Sequence, residues 1–133
     1  MTQEEITTAK AILSEENLTS LGFENIGKTC DVYEGEGYQY KGFVNIRIIN
    51  FMGIRTLELY FVPCQIIDKK SLIAEGLNDT YKQYKIYDIV NEHPKIDIHS
   101  NEELIAICEK WAQAIKNAGI KEAKRIEEYY KSL

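Results

Sequence analysis

FVNIRIINFMGIRTLELYFV, residues 43–62, is the stretch that decides the fold. Apolar side chains alternate with other side chains along both halves, and this period of two is typical of strands with one buried face. The buried positions are even-numbered in the first half and odd-numbered in the second. The stretch therefore predicts an antiparallel β-hairpin at the centre of a sheet. Its inward side chains are those of Val44, Ile46, Ile48, Leu57, Leu59 and Phe61.

The same alternation restricts the register of the hairpin. A slip of one residue would turn every side chain to the opposite face, so only a two-residue or a four-residue loop keeps both apolar sets inside. Gly53 favours the longer loop, residues 51–54, because glycine readily adopts the positive φ that such loops need. Asn50 then closes the loop opposite Arg55. This register places Arg47 opposite Glu58 on the outer face, and the opposite charges support it.

Helices are predicted on both sides of the hairpin. Thr2 and Glu5 have the spacing of a capping box, which begins a helix over about residues 3–21, and Gly22 is placed to end it. A short helix is expected over residues 68–78. Ser100 and Glu103 form a second capping box, which begins a long helix over residues 101–132, kinked or broken near Gly119. Its apolar face continues past Gly119 with Ala123, Ile126 and Tyr130.

Weaker strand patterns complete the sheet. Residues 23–34 predict a first strand that ends in a turn at residues 34–37. Residues 79–90 fit a strand or a helix, and we favour a strand because they are rich in tyrosine and β-branched side chains. Residues 96–98 are compatible with a further brief strand. The prediction is a single α+β domain over residues 1–133, with an antiparallel meander of four or five strands.

The composition excludes several classes of protein. Hydrophobic residues make up 44% of the 133 residues and charged residues 28%, as in globular domains. The net charge of −5, without a basic cluster, argues against nucleic-acid binding. The acidic N-terminus and the short apolar runs argue against export or membrane insertion. Three cysteines without a CxxC pair fit a reducing compartment, so we expect a soluble, cytoplasmic protein with no cofactor.

The chemically reactive side chains do not form a known catalytic motif. His93, Asp97 and His99 are weak candidates for metal ligands, because their spacing matches no established ligand pattern. Glu34 and Glu36 flank a glycine and are expected to be exposed, whereas general-acid catalysis needs a buried carboxyl group. No catalytic residue is predicted, and we lean towards a non-enzymatic protein.

The outer face of the hairpin is the most unusual predicted surface. It mixes apolar, aromatic and charged side chains, and is too apolar for full exposure and too polar for a second core. The chain also has nine tyrosines, a residue type enriched at protein interfaces. We therefore expect this face to bind a partner protein or a second copy of the chain. The candidate contact residues are Phe43, Asn45, Arg47, Ile49, Glu58, Tyr60 and Val62.

Two functions are compatible with these features. The first is protein binding by a small acidic bacterial or phage protein of the inhibitor, immunity or counter-defence type. The order of elements is similar to that of the acidic dimeric chaperones of type III secretion, which implies protein binding as well. The second is a small-molecule binder or enzyme with a pocket between the sheet and the last helix, around Trp111, Tyr84 and Tyr87.

Overall fold

The structure is a computed structural model that describes residues 2–29, 35–51, 56–63, 67–77 and 83–133. Its fold is α+β, as predicted, with five strands and four helices within these ranges. The strands are β1 Phe23–Thr29, β2 Gly35–Tyr40, β3 Val44–Phe51, β4 Thr56–Pro63 and β5 Gln83–Asp88. The helices are α1 Gln3–Ile12, α2 Glu15–Ser20, α3 Lys69–Ala74 and α4 Asn101–Lys131.

The five strands form one antiparallel sheet in the order of the sequence, β1-β2-β3-β4-β5. The predicted strand within residues 79–90 is confirmed as β5. The predicted turn at residues 34–37 is wrong in its described part, because residues 35–37 belong to β2 and pair with β3 from Glu36 onwards. The Ile26 side chain of β1 packs over Gly37. A Cβ atom at position 37 would lie only 3.0 Å from Ile26 Cγ1, so glycine fits this position in the sheet.

The central hairpin is confirmed in its faces but not in its register. All six predicted inward side chains are buried in the core. The strands pair two residues further along than predicted, so Arg47 lies opposite Tyr60, and Ile49 lies opposite Glu58. Phe51 pairs with Thr56, and residues 52–55 between them, including Gly53, lie outside the described residues. A two-residue slip keeps every side chain on its face, so alternation does not distinguish the two registers.

The predicted N-terminal helix forms as two helices rather than one. The capping box at the start of α1 is confirmed, since Glu5 N donates to Thr2 Oγ1 at 3.1 Å and Thr2 N donates to the Glu5 carboxylate at 3.3 Å. Ser14 separates the helices, because its hydroxyl oxygen accepts a hydrogen bond from Asn17 N and caps α2. Gly22 follows α2 with a φ of +94°, as expected of a glycine that ends a helix.

The predicted helix over residues 68–78 is shorter than expected. Asp68 caps its start by accepting from Lys70 N at 3.2 Å. Gly76, with a φ of +95°, lies just past its end. Leu77 N then donates to Leu72 O at 3.1 Å, which closes the helix end and directs both leucines into the core.

The core lies between the helices and one face of the sheet, which we call the inner face. The last helix, α4, contributes most of the helical core residues and runs through Gly119 as a single helix, so the predicted break does not form. Only half of the capping box at its start forms: Ser100 Oγ accepts from Glu103 N, whereas the Glu103 carboxylate accepts from His99 N at 2.6 Å. The buried side chains of α4 are those of Leu104, Cys108, Trp111, Ala112, Ala114, Ile115 and Ala118.

The predicted brief strand at residues 96–98 is not a strand, but it covers the free edge of β5. Asp97 N and Ile98 N both donate to Lys85 O, at 3.0 and 3.3 Å. The Asp97 carboxylate accepts from Lys85 N at 2.9 Å. These three bonds satisfy backbone groups that would otherwise leave the sheet edge open to pairing with another chain.

Candidate functional site

Six of the seven candidate contact residues share one face of the sheet. Asn45, Arg47 and Ile49 of β3 lie beside Glu58, Tyr60 and Val62 of β4, opposite the core. Phe43 is the exception, because it lies in the turn before β3 and packs against the core. With Gln83 and Lys85 of β5, these six residues form what we call the outer surface.

The outer surface is organised in cross-strand rows. Arg47, Tyr60 and Gln83 form one row, and the Gln83 amide donates to the Tyr60 hydroxyl. Ile49, Glu58 and Lys85 form the next row. Within the described ranges, the buried side chains of the helices belong to the core cluster on the inner face. Ile49 is also buried, but it does not belong to this core cluster. The outer surface is therefore separate from the core.

Glu58 is the most unusual side chain of this surface. Only 7% of it is exposed, yet no described residue donates a hydrogen bond to its carboxylate or forms an ion pair with it. Burial raises the pKa of Glu58; the charge of Lys85 opposes this shift and that of Asp88 adds to it. An unpartnered buried carboxylate costs free energy, because it has lost hydration without gaining a donor.

The neighbouring Asp88 is also buried but is fully satisfied. Its carboxylate accepts from Lys85 Nζ at 2.9 Å, from Val90 N at 2.9 Å, and from both the backbone N and the side-chain amide of Asn91. Burial alone would raise the pKa of Asp88, but these donors hold it well below its usual range. The Lys85 ammonium is thus bound to Asp88 rather than to Glu58.

The predicted ligand pocket around Trp111 is filled by aromatic side chains. Trp111 is 1% exposed and stacks on Phe61, with 5.4 Å between the ring centroids. The other face of the cluster is closed by Tyr84, whose ring meets Phe61 edge-on at 5.0 Å. Tyr87 is also buried, which raises its pKa. These side chains form core rather than the wall of a cavity.

A groove does exist elsewhere, between α1 and residues 94–99. Its volume is about 620 Å³, and its apolar floor includes Ala9, Ile12 and Ile86. Each of these floor residues is at most 7% exposed, so they offer a ligand little apolar area. The Glu5 carboxylate on its rim already accepts a bond in the capping box. His99, which also lines the groove, has its Nδ1 3.1 Å from the Glu103 carboxylate, so both of these polar side chains are already engaged within the chain.

The weak metal candidates are engaged elsewhere. The Asp97 carboxylate binds the backbone of Lys85, and His99 Nδ1 lies 3.1 Å from the Glu103 carboxylate. His93 is exposed in the segment that follows β5. Among the described residues, no three histidine, cysteine, aspartate or glutamate side chains are close enough together to hold a metal ion.

The remaining reactive candidates are dispersed. Cys108 is buried in the core, which raises the pKa of its thiol to about 12, so it is not a nucleophile at neutral pH. Glu36 is exposed on β2. Cys30, Cys64 and Glu34 lie outside the described residues.

A second exposed surface lies at the end of α4, where sequence periodicity predicted only a continued apolar face. Burial ends at Ala118, and we call residues 119–133 the C-terminal extension. Five of the nine large hydrophobic side chains that are strongly exposed within the described ranges belong to it: Ile120, Ile126, Tyr129, Tyr130 and Leu133. Of the seven described tyrosines, only Tyr129 and Tyr130 are mostly exposed.

Neither a protein-family model, a curated protein nor a solved structure matches this chain. Among the described residues, no helix has the length and hydropathy that a membrane span requires. Function must therefore be inferred from the surfaces themselves.

Proposed function

We propose that this protein acts by binding another protein, with the outer surface as the contact surface. The single observation that carries the proposal is Glu58, a carboxylate with 7% of its surface exposed and no hydrogen-bond donor among the described residues. Groups held in such unfavourable environments are concentrated at functional sites, because function rather than stability retains them.

The chemistry around Glu58 indicates what kind of partner would fit. Lys85 is bound to Asp88, so Glu58 has no cationic donor among the described residues. A lysine or arginine side chain of a partner would supply a charge-assisted hydrogen bond, and the net charge of −5 favours approach of a basic protein. The partner's basic side chain would be surrounded by apolar groups of Ile49, Tyr60 and Val62.

A small inhibitor, immunity or counter-defence protein that binds a basic enzyme would fit these features, because complementary charges steer two proteins together. The protein is accordingly proposed to be a non-enzymatic binding protein rather than a small-molecule binder. The aromatic cluster at Trp111 supports this choice, because Trp111, Phe61 and Tyr84 pack their rings on one another at the position that the sequence suggested.

The test uses three immobilised forms of this protein, the wild type and two variants. It compares the proteins that each form captures from a lysate of the cells that produce it. Glu58→Gln removes the charge while keeping the shape of the side chain, and Glu24→Gln is the matched control, because Glu24 is an exposed glutamate on β1. We expect a basic protein that is retained by the wild type and by Glu24→Gln, and lost by Glu58→Gln.

The captured protein is then titrated against ¹³C-labelled protein, and the pKa of Glu58 is measured by NMR. A bound cation should lower that pKa. If all three variants retain the same proteins, or if binding leaves the pKa of Glu58 unchanged, the proposal is wrong.

A further inference from the structure

The C-terminal extension carries an apolar stripe that lies outside the core cluster of the described residues. Its members are spaced i, i+3, i+4 and i+7, so the first three lie on one face of α4, and the fourth follows just past the helix end. Their exposed fractions are 48% for Ile126, 62% for Tyr129, 67% for Tyr130 and 85% for Leu133. We call these four residues the extension stripe. It continues the face that contains Trp111 and Ile115, beyond the point where that face leaves the core.

We propose that the extension stripe is the contact between two copies of this chain, which pair their extensions in antiparallel orientation. Such a contact uses the same residues on both copies, as in the two-fold interfaces of most homodimers. Residues 119–131 supply about 20 Å of helix for it.

The exposed area of the stripe is sufficient for a weak dimer. A tyrosine side chain buries about 150–250 Å² when it is fully covered. Two mostly exposed tyrosines, with an isoleucine and a leucine, therefore offer on the order of 500 Å² per copy, or roughly 1,000 Å² for the pair, which is near the lower limit for a specific interface.

The distribution of charge favours a second copy and its antiparallel orientation. The extension has four basic and three acidic side chains, a net charge of +1, so the rest of the chain carries −6. Pairs within the helix neutralise part of this charge, with Glu122 bonded to Arg125 at 2.6 Å and Glu127 to Lys131 at 3.1 Å. Two nearly neutral extensions can approach without strong repulsion, and an antiparallel arrangement keeps the two acidic bodies apart.

The chain provides a matched pair of isoleucines for the test. Ile120 and Ile126 lie on the same helix and are 46% and 48% exposed. They are separated by about 120° around the helix axis, so only Ile126 belongs to the stripe. Neither is buried in the core, so Ile120→Glu and Ile126→Glu should both fold, which circular dichroism would verify.

The mass of each protein in solution is measured by sedimentation equilibrium from about 1 to 500 µM. We expect wild type and Ile120→Glu to rise from 15.4 kDa towards twice that mass, with a midpoint on the order of 10–100 µM, as suits an interface of this size. Ile126→Glu should stay at 15.4 kDa throughout.

Three outcomes would overturn the proposal. The first is a wild type that stays monomeric over the whole range, and the second is a loss of dimer that is equal in both variants. The third is a monomeric wild type that binds vesicles of an acidic phospholipid, with this binding lost only in Ile126→Glu. The stripe would then be a membrane contact rather than a dimer contact.

Discussion

The ring of Phe61 in β4 stacks on the indole of Trp111 in α4, with planes 26° apart and centroids separated by 5.4 Å. This contact joins the centre of the sheet to the helix that covers it. Both side chains are buried, at 0% and 1% exposure. This aromatic pair is therefore one of the contacts through which the sheet and the last helix stabilise each other.

Trp111→Ala should destabilise the fold by about 3–5 kcal/mol, because it leaves a cavity beside Phe61 and removes the stacking. Trp111→Phe keeps a ring in place and should cost less. Urea denaturation followed by circular dichroism measures both changes. A tryptophan that lined a ligand pocket would instead tolerate replacement by alanine with little loss, and that result would revive the small-molecule hypothesis.

Asp88→Ala should lower the free energy of unfolding by about 3 kcal/mol, since it leaves the Lys85 ammonium and two backbone donors without their acceptor. Glu92→Ala is the control, because Glu92 is exposed in the segment just after β5. Chemical denaturation at neutral pH compares the two variants with the wild type. Equal stability of both variants would show that the carboxylate of Asp88 is not an anchor of this segment.

Asp88 and Glu58 should have opposite effects on stability as the pH changes. The pKa of Asp88 is lowered on folding, so its contribution is complete above about 3.9, the usual value for aspartate, and is lost as the pH falls further. The pKa of Glu58 is raised, so ionised Glu58 reduces stability at neutral pH, and this cost disappears as protonation of the carboxyl group proceeds in acid.

Glu58→Gln should therefore be more stable than the wild type at pH 7, and the difference should shrink as the pH approaches about 4.3, the usual pKa of glutamate. Thermal denaturation across this pH range measures the difference, with Glu24→Gln as the exposed control. A Glu58→Gln variant that is less stable than the wild type at pH 7 would show that the carboxylate has a donor, and the proposed binding site would lose its basis.

Asp97→Ala should cost about 1 kcal/mol, because it removes the hydrogen bond from Lys85 N and opens the edge of β5. Hydrogen exchange at the Lys85 amide should become faster in this variant, which locates the effect at the sheet edge. Unchanged exchange would contradict the assignment of Asp97 as the residue that covers the edge.

The sequence predicted the fold class, the faces of the central hairpin and the confirmed capping box at Thr2, because each depends on local periodicity or on side chains a few residues apart. The sequence did not determine the register of the hairpin, because pairing Arg47 with Tyr60 or with Glu58 buries the same side chains. Residues 35–37 were misassigned because glycine is typical of turns, and only the packing of Ile26 over Gly37 reveals why it is tolerated in a strand.

The candidate surfaces were predictable to a lesser degree. The shared face of Asn45, Arg47 and Tyr60 follows from alternation. The position of Glu58 without a donor among the described residues does not. It depends on Lys85 being bound to Asp88 of the same strand, and on a register between β4 and β5 that the sequence does not fix. The extension stripe was visible as a periodic pattern, but periodicity does not show where a helix passes the end of its sheet.

The order of the strands in the sheet has a consequence for how the protein is made. Each strand pairs only with its neighbours in the sequence, so the sheet can assemble progressively as the chain leaves the ribosome. Trp111 and Ile115 are synthesised after all five strands, and the part of the inner face that α4 covers stays exposed until they emerge. The vulnerable period of this protein is thus the interval between completion of β5 and synthesis of Ala118, when aggregation would compete with folding.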